Sequence, residues 1–399
     1  MTHQIDVTKG QLVSTVSEQW AQRPDDQRFL SLSDMRGQVA RWAEESTAQV
    51  FKPGQLTMHG VGKTGMVLEA DGKAMEVSHY AFDQLAEIAR VPANYARRID
   101  PALAALNLNY GLRANEQKEQ AIYFRQPAPP AYDPDVGAPM PFQATLLRGI
   151  TGPRYGRIYD RDVVDAVMKI AGNGTGDTHW KVPGTIDWTS SHGVSYNPQV
   201  DITKQNTTLY ASDRDIFLFL VDDMNPIEVG KLASGAPDLM FRGFYVWNSE
   251  VGDKTFGVAT MYLRGVCQNR NLWGVEGFNE VTFRHTAGAP ERFASDAAPA
   301  LETFAQSATS KLIDGVAKAK GAVVSTTDED RLEFLAKLGF SLKQAKELIA
   351  TAVAEEGQPP VSVWDHAQAI TARARYEPFQ ESRLAMERIA GELLDKVKV

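Results

Sequence analysis

The stretch of this chain densest in groups able to do chemistry is "LLRGITGPRYGRIYDRD", residues 146–162. Arg148, Arg154, Arg157 and Arg161 interleave there with Tyr155 and Tyr159. Arginine, tyrosine and glycine together suit a single-stranded nucleic acid: guanidinium groups neutralise phosphates, and aromatic faces stack bases. A second cluster, "LRGVCQNRNLW" at 263–273, supplies Arg264, Gln268, Asn269, Arg270, Asn271 and Trp273. "FRH" at 283–285 adds Arg284 and His285. The competing expectation is that these arginines pair with Asp160, Asp162 and Glu276 while the tyrosines join the core.

Other chemistries fit less well. "HGVGKTG" at 59–65 ends like a phosphate-cradling loop, G-x-x-x-x-G-K-[ST]. With Gly62-Lys63-Thr64 as its end, the first glycine belongs at position 57, which is Thr57. "GMVLEADGK" follows and reads as strand and turn, not as the helix whose N-terminus holds phosphates. The stretch is therefore expected to be a glycine turn that presents Lys63 as an auxiliary phosphate contact. Cys267 with His285 offers a thiol and a base, but a lone cysteine ending an apolar strand is expected to be a small buried hydrophobe. The seven histidines form no H-x-x-x-H or H-E-x-x-H pair. Asp222-Asp223 and Glu250 with Asp253 are the carboxylate candidates, and acids at turns are commonplace. No metal, cofactor or catalytic residue is assigned.

The totals narrow the field. The 399 residues allow two or three domains. A net charge of −8 excludes a nucleic-acid glue of the histone type, so an anion site has to be a local patch. One cysteine excludes an intramolecular disulfide and a cysteine-rich zinc site. The N-terminus lacks a signal pattern, and no apolar run approaches a membrane span. The expectation is a protein of the host-cell cytoplasm with no membrane partner.

The elements that must position the clusters follow from periodicity. Six prolines in residues 127–141 predict a linker between an N-terminal α+β region, 1–126, and an α+β core, 142–292. In the first region, "QLTMHGV" and "GMVLEA" read as strands, and "AFDQLAEIARVP" as a helix ended by Pro92. In the core, "FQATLLRGI" reads as a strand and "DRDVVDAVMKIAG" as a helix stopped by Gly172. "HWKVPGTIDW" and "DIFLFLV" read as strands, the second buried on both faces. "FRGFYVW" and "TFGVATMYLRGVC" form a hairpin turned at "NSEVGDK", because Phe256, Val258, Thr260 and Tyr262 alternate with Gly257, Ala259, Met261 and Leu263. Residues 293–399 read as a helical region with five candidate helices. The fold class is α+β: a mostly antiparallel core sheet with a packed helix, a mixed N-terminal region and a helical C-terminal region.

The R-Y-G-x-I-x-D-x-D segment at 154–162, N-S-x-x-G at 248–252, L-R-x-V-C-x-N at 263–269 and "VTFRHT" at 281–286 resemble the phage/plasmid-like protein family. "WDHAQAITARAR" resembles its W-x-x-x-x-A-I-T helix. This domain of unknown function occurs in phages, prophages and plasmids, and the resemblance implies no catalytic residue. The order strand, helix, three-stranded antiparallel sheet and closing helix is also similar to single-strand-annealing recombinases of the RecT/Redβ type. That similarity implies single-stranded DNA held along a basic groove by an oligomer. The combined expectation is a mobile-element protein of nucleic-acid metabolism that binds single-stranded DNA, assembles as a homo-oligomer and promotes annealing without covalent catalysis. Its contacts would be Arg148, Arg154, Tyr155, Arg157, Arg264, Arg270 and Arg284. The alternatives are a non-catalytic protein that binds a host or phage protein, and a metal-dependent nuclease.

Overall fold

The computed structural model describes residues 24–62, 65–114, 118–126, 132–133, 138–139, 144–183, 202–204, 207–231, 235, 237–264, 270–271, 280–306, 310–377 and 380–397. The fold is α+β, as composition and periodicity predict. Among the described residues no helix is long and apolar enough to cross a membrane.

Two large sheets organise the chain. The core sheet follows the order Arg28–Phe29, Leu209–Ala211, Ile216–Lys231, Pro237–Asn248, Phe256–Arg264 and Arg270–Asn271. Its long strands are antiparallel, with Phe219 opposite Tyr245 and Phe244 opposite Thr260. The run "DIFLFLV" is buried on both faces because alternate residues feed different cores. Ile216, Leu218 and Leu220 face the main core with Val163, Val164 and Val167 of the Asp160–Ala171 helix. Phe217, Phe219 and Val221 join Tyr245, Trp247 and Met261 on the other face. Gly172 stops the Asp160–Ala171 helix with φ 55°, in the region that favours glycine.

The second sheet runs Ser46–Phe51, Gln120–Arg125, Leu146–Thr151, Lys73–Val77, Gly65–Ala70, Thr57–Val61. Thr57–Val61 and Gly65–Ala70 pair antiparallel, so a strand, not a helix, follows "HGVGKTG". Lys63 and Thr64 lie outside the described residues. The His79–Ala89 helix closes one residue after its last turn through Arg90 in the left-handed conformation, ahead of Pro92.

The sheets do not respect the sequence boundary at residue 141. Leu146–Thr151, expected to open the core, is a central strand of the second sheet, between Gln120–Arg125 and Lys73–Val77. All six of its residues are buried, so it pairs on both edges and packs on both faces. Conversely, Arg28–Phe29 pairs with the core sheet, and Leu32, Met35 and Val39 of the Leu32–Glu44 helix pack into its core. The first strand of the recombinase-like order therefore lies in a different sheet from the other three. Most of the expected linker lies outside the described residues; Tyr132–Asp133 and Ala138–Pro139 form a two-stranded pair.

From Ala289 the described residues are mostly helical. Ala289–Arg292 leads through a π turn into Ala298–Gln306, and Ser310–Gly321 follows; these last two cover the first expected helix apart from residues 307–309, which lie outside the described residues. The other four form as expected, three of them behind capping boxes at Thr327/Asp330, Ser341/Gln344 and Ser362/Asp365. On the Val363–Ala374 helix His366 is fully buried, with Nε2 2.8 Å from Ser325 Oγ and Nδ1 without a hydrogen-bond partner. Burial pushes this imidazole down to about 4 from an ordinary value of 6.5. Between those values the unfolded chain binds the extra proton. The stabilisation is thus present above 6.5 and is lost as the pH falls towards 4, by at most about 1.4 kcal/mol per pH unit. Urea midpoints across this window will fall with acidification in the wild type, and less steeply in His366→Gln.

Candidate nucleic-acid interface

The motifs that stand far apart in sequence converge where the two sheets meet. "NSE" at 248–250 follows the Pro237–Asn248 strand, and each of its residues reaches a different partner. Asn248 Nδ2 donates to Ile158 O (2.9 Å) and to Asp160 Oδ1 (2.7 Å). Ser249 Oγ donates to Arg214 O (2.8 Å), while Tyr155 OH donates to Ser249 O (2.7 Å). Glu250 accepts from Arg148 Nη1 (2.7 Å), Tyr123 OH (2.9 Å) and the Asp160 backbone N–H (2.8 Å). Val251 O accepts from Gln84 Nε2 (2.9 Å), and Gln84 Oε1 accepts from Ile150 N (2.7 Å), which ties the His79–Ala89 helix to the same turn.

This assembly corrects one part of the expected contact set. Arg148 is 1 % exposed. Its guanidinium is held by Glu250, Tyr123, Ser46 Oγ and Asp213 O, and it presents no face to a phosphate. Burial alone would lower its pKa, but Glu250 and its neighbours hold the group firmly protonated. Asp160 was expected to pair with an arginine. Burial and the nearby Glu250 charge instead push its carboxyl well above the usual carboxylate range. Burial also raises the Tyr123 phenol, again with Glu250 contributing. Arg157 is half-buried: it donates to Glu250 O and lies 3.6 Å from the centre of the Tyr123 ring. Burial lowers its pKa.

Arg264 is the second correction. It is 4 % exposed and bidentate to Asp238 (2.8 and 3.1 Å), with Glu356 2.5 Å away. Lys320 joins Asp238 at 3.3 Å. Arg242 pairs in the same way with Asp222 (3.0 Å). These buried pairs tie the core strands to each other and to the C-terminal helices. Arg270 is placed beside Leu263 by strand pairing, and its side chain lies outside the described residues. Arg264 also sits eight residues along its strand from Phe256, about 26 Å at 3.3 Å per residue. Arg264 therefore lies at the other end of its strand from Phe256, which pairs with Phe283 beside Arg284.

What the structure does bring together is "GPRYGR" and "FRH". Gly156 N donates to His285 O (3.1 Å), and His285 Nδ1 donates back to Gly156 O (3.0 Å). The His285 ring stacks on Tyr155 with centroids 4.9 Å apart and planes at 19°. Burial lowers the His285 pKa, which keeps the ring neutral with its proton on Nδ1. Arg154 precedes this stack on one segment of the junction and Arg284 on the other, and both are exposed. Arg161, half-exposed, lies 3.4 Å from Asp162. Sequence reasoning named these residues but not their pairing, which only the reciprocal Gly156–His285 bonds create.

Of the other candidates, Cys267 lies outside the described residues, and His285 is engaged with Gly156 and Tyr155. Asp253 pairs with Arg214 (2.8 Å), Asp222 with Arg242, and Glu250 with Arg148. Among the described residues no group of three or more His, Cys, Asp or Glu side chains is placed to hold a metal ion. No protein family, curated protein or solved structure matches the chain.

Proposed function

We propose that this protein binds single-stranded DNA at the junction of residues 152–157 with 284–286. The observation that carries the proposal is the stack of half-buried Tyr155 on buried His285, with an exposed arginine beginning each side of it. An extended strand would place successive phosphates on Arg154 and Arg284 and a base against the exposed part of Tyr155. Arg157, with Glu250 O and the Tyr123 ring, positions this loop. Arg148, Glu250 and Asn248 act further back, fixing the turn on which the loop rests. The motif resemblance supports a mobile-element origin, and annealing needs no more than bound strands whose pairing edges stay free.

A labelled oligo(dT) titrated at several salt concentrations tests this. Wild type will bind at low salt with an affinity that falls as salt rises. Arg154→Ala with Arg284→Ala will reduce the slope of log K against log salt by about 1.4, at about 0.7 per phosphate contact on a single strand. Arg264→Ala will leave that slope unchanged. Absence of binding at low salt would rule the proposal out.

A further inference from the structure

The turn at 249–253 carries a second aromatic–arginine pair besides that of the junction. Ser249 anchors both. Its carbonyl accepts from Tyr155 OH (2.7 Å), and its hydroxyl donates to Arg214 O (2.8 Å). The Arg214 guanidinium lies 5.3 Å from the centre of the Tyr80 ring. Tyr80 is in the first turn of the His79–Ala89 helix, one turn before Gln84 and on the same face. Gly252 is exposed, with φ 89°, and a Cβ on it would lie 3.6 Å from Gln84 Nε2 and 3.8 Å from Tyr155 Cε2. Tyr155 thus reaches Gly252 from one segment. The next residue, Asp253, pairs at 2.8 Å with the same Arg214 that covers Tyr80.

Tyr80 and Arg214 keep groups that their own chain does not engage. Tyr155 and Tyr123 donate their hydroxyls to Ser249 and Glu250, whereas the hydroxyl of half-buried Tyr80 makes no hydrogen bond among the described residues. Neither Nη of Arg214 donates among the described residues, and its side chain is 31 % exposed. Burial, with Asp253 contributing, raises the Tyr80 phenol further above its ordinary value, so the ring adds no negative charge. The acids around the pair are matched. Asp253 faces Lys254 (3.5 Å) as well as Arg214, and Asp83 faces Arg97 (2.6 Å). Glu87 lies two turns along the helix.

We propose that Tyr80 and Arg214 form a second nucleotide subsite for the single strand bound at Tyr155, reached across Gly252. This subsite rests on the reading of the junction given above. A base stacks on the exposed part of Tyr80, and its phosphate meets the Nη groups of Arg214. Gly252 has no side chain to obstruct the crossing. Oligo(dT) titrations of single variants test the subsite, with photo-cross-linking of an oligo(dT) carrying 5-iododeoxyuridine as a second measurement that needs no variant. Tyr80→Ala will lose at least about fivefold in affinity, the least that one stacked base contributes. Its salt slope will stay that of the wild type, because stacking releases no counterions. Tyr80→Phe keeps the ring and will bind as the wild type does. Arg214→Gln will reduce the slope by about 0.7, for one phosphate contact. Cross-linked peptides of the wild type will include Tyr80. If Arg154→Ala with Arg284→Ala weakens binding while Tyr80→Ala does not, and no cross-link maps to Tyr80, the subsite is overturned and the junction stands. A Tyr80→Phe variant as weak as Tyr80→Ala, both folded by thermal unfolding, also overturns it, since the ring is then not what binds. A wild type that does not bind oligo(dT) at low salt overturns the junction and the subsite together.

Discussion

Glu250→Ala will destabilise the fold by about 3–5 kcal/mol, read as a drop in the urea midpoint at neutral pH. Glu250 is 1 % exposed and gathers three donors from three elements. Arg148 comes from the second sheet, Tyr123 from the adjacent strand of that sheet, and the Asp160 N–H from the start of the helix packed on the core sheet. Removing the carboxylate leaves the Arg148 guanidinium buried and without its charge partner, which costs far more than one lost hydrogen bond. Glu250→Gln keeps the shape and an acceptor, and will fall between the wild type and Glu250→Ala. Arg148→Met combined with Glu250→Gln removes both charges and will cost less than the two single changes added together, because they share one network. Glu69→Ala, at an exposed carboxylate, is the control. If Glu250→Ala costs no more than that control, the network does not hold the two sheets together.

The sequence context of the arginines contained part of this result. Arg148 lies in "TLLRGI" and Arg264 in "TMYLRG", each a lone charge inside an apolar strand. A strand residue of that kind is buried with its strand and needs an internal partner. Arg154 lies between Pro153 and Tyr155 in a turn, and Arg284 follows a strand end, where a side chain reaches water. Residue type and spacing alone placed all four in one set. Context separates them, and the structure agrees with the context. The partner Glu250 was less visible, since an acid in a turn usually faces solvent.

Strands and helices were similarly legible where the signal is local. Alternation in Phe256–Leu263 and the double-sided run at 216–221 are direct consequences of period-two geometry. Which sheet a strand joins is not a local property. Leu146–Thr151 is recognisable as a strand, but its neighbours Tyr123 and Val77 are remote in sequence. Its assignment depends on loop closure and on the Arg148–Glu250 pair across the sheets. The Tyr155–His285 stack is non-local for the same reason: it joins residues 130 positions apart.

That junction can be opened by one methyl group. Gly156→Ala places a Cβ 1.8 Å from the Thr286 carbonyl oxygen, against backbone that cannot swing aside. The two segments must separate, stretching both Gly156–His285 hydrogen bonds. Overpacking of this kind costs about 1–3 kcal/mol, and two weakened hydrogen bonds add about 1 kcal/mol each. Thermal unfolding of Gly156→Ala will therefore start well below that of the wild type. Gly152→Ala will unfold with the wild type, because nothing lies within 4 Å of its added Cβ. The same pair of variants separates binding from stability when oligo(dT) affinity is measured at a temperature where both are folded. Parting the segments pulls Arg154 and Tyr155 away from Arg284 and His285, so Gly156→Ala will lose affinity as the double arginine variant does. Gly152→Ala, in the same loop, will keep it. If folded Gly156→Ala binds as tightly as the wild type, the strand does not bridge the two segments, and the contact belongs to one of them alone.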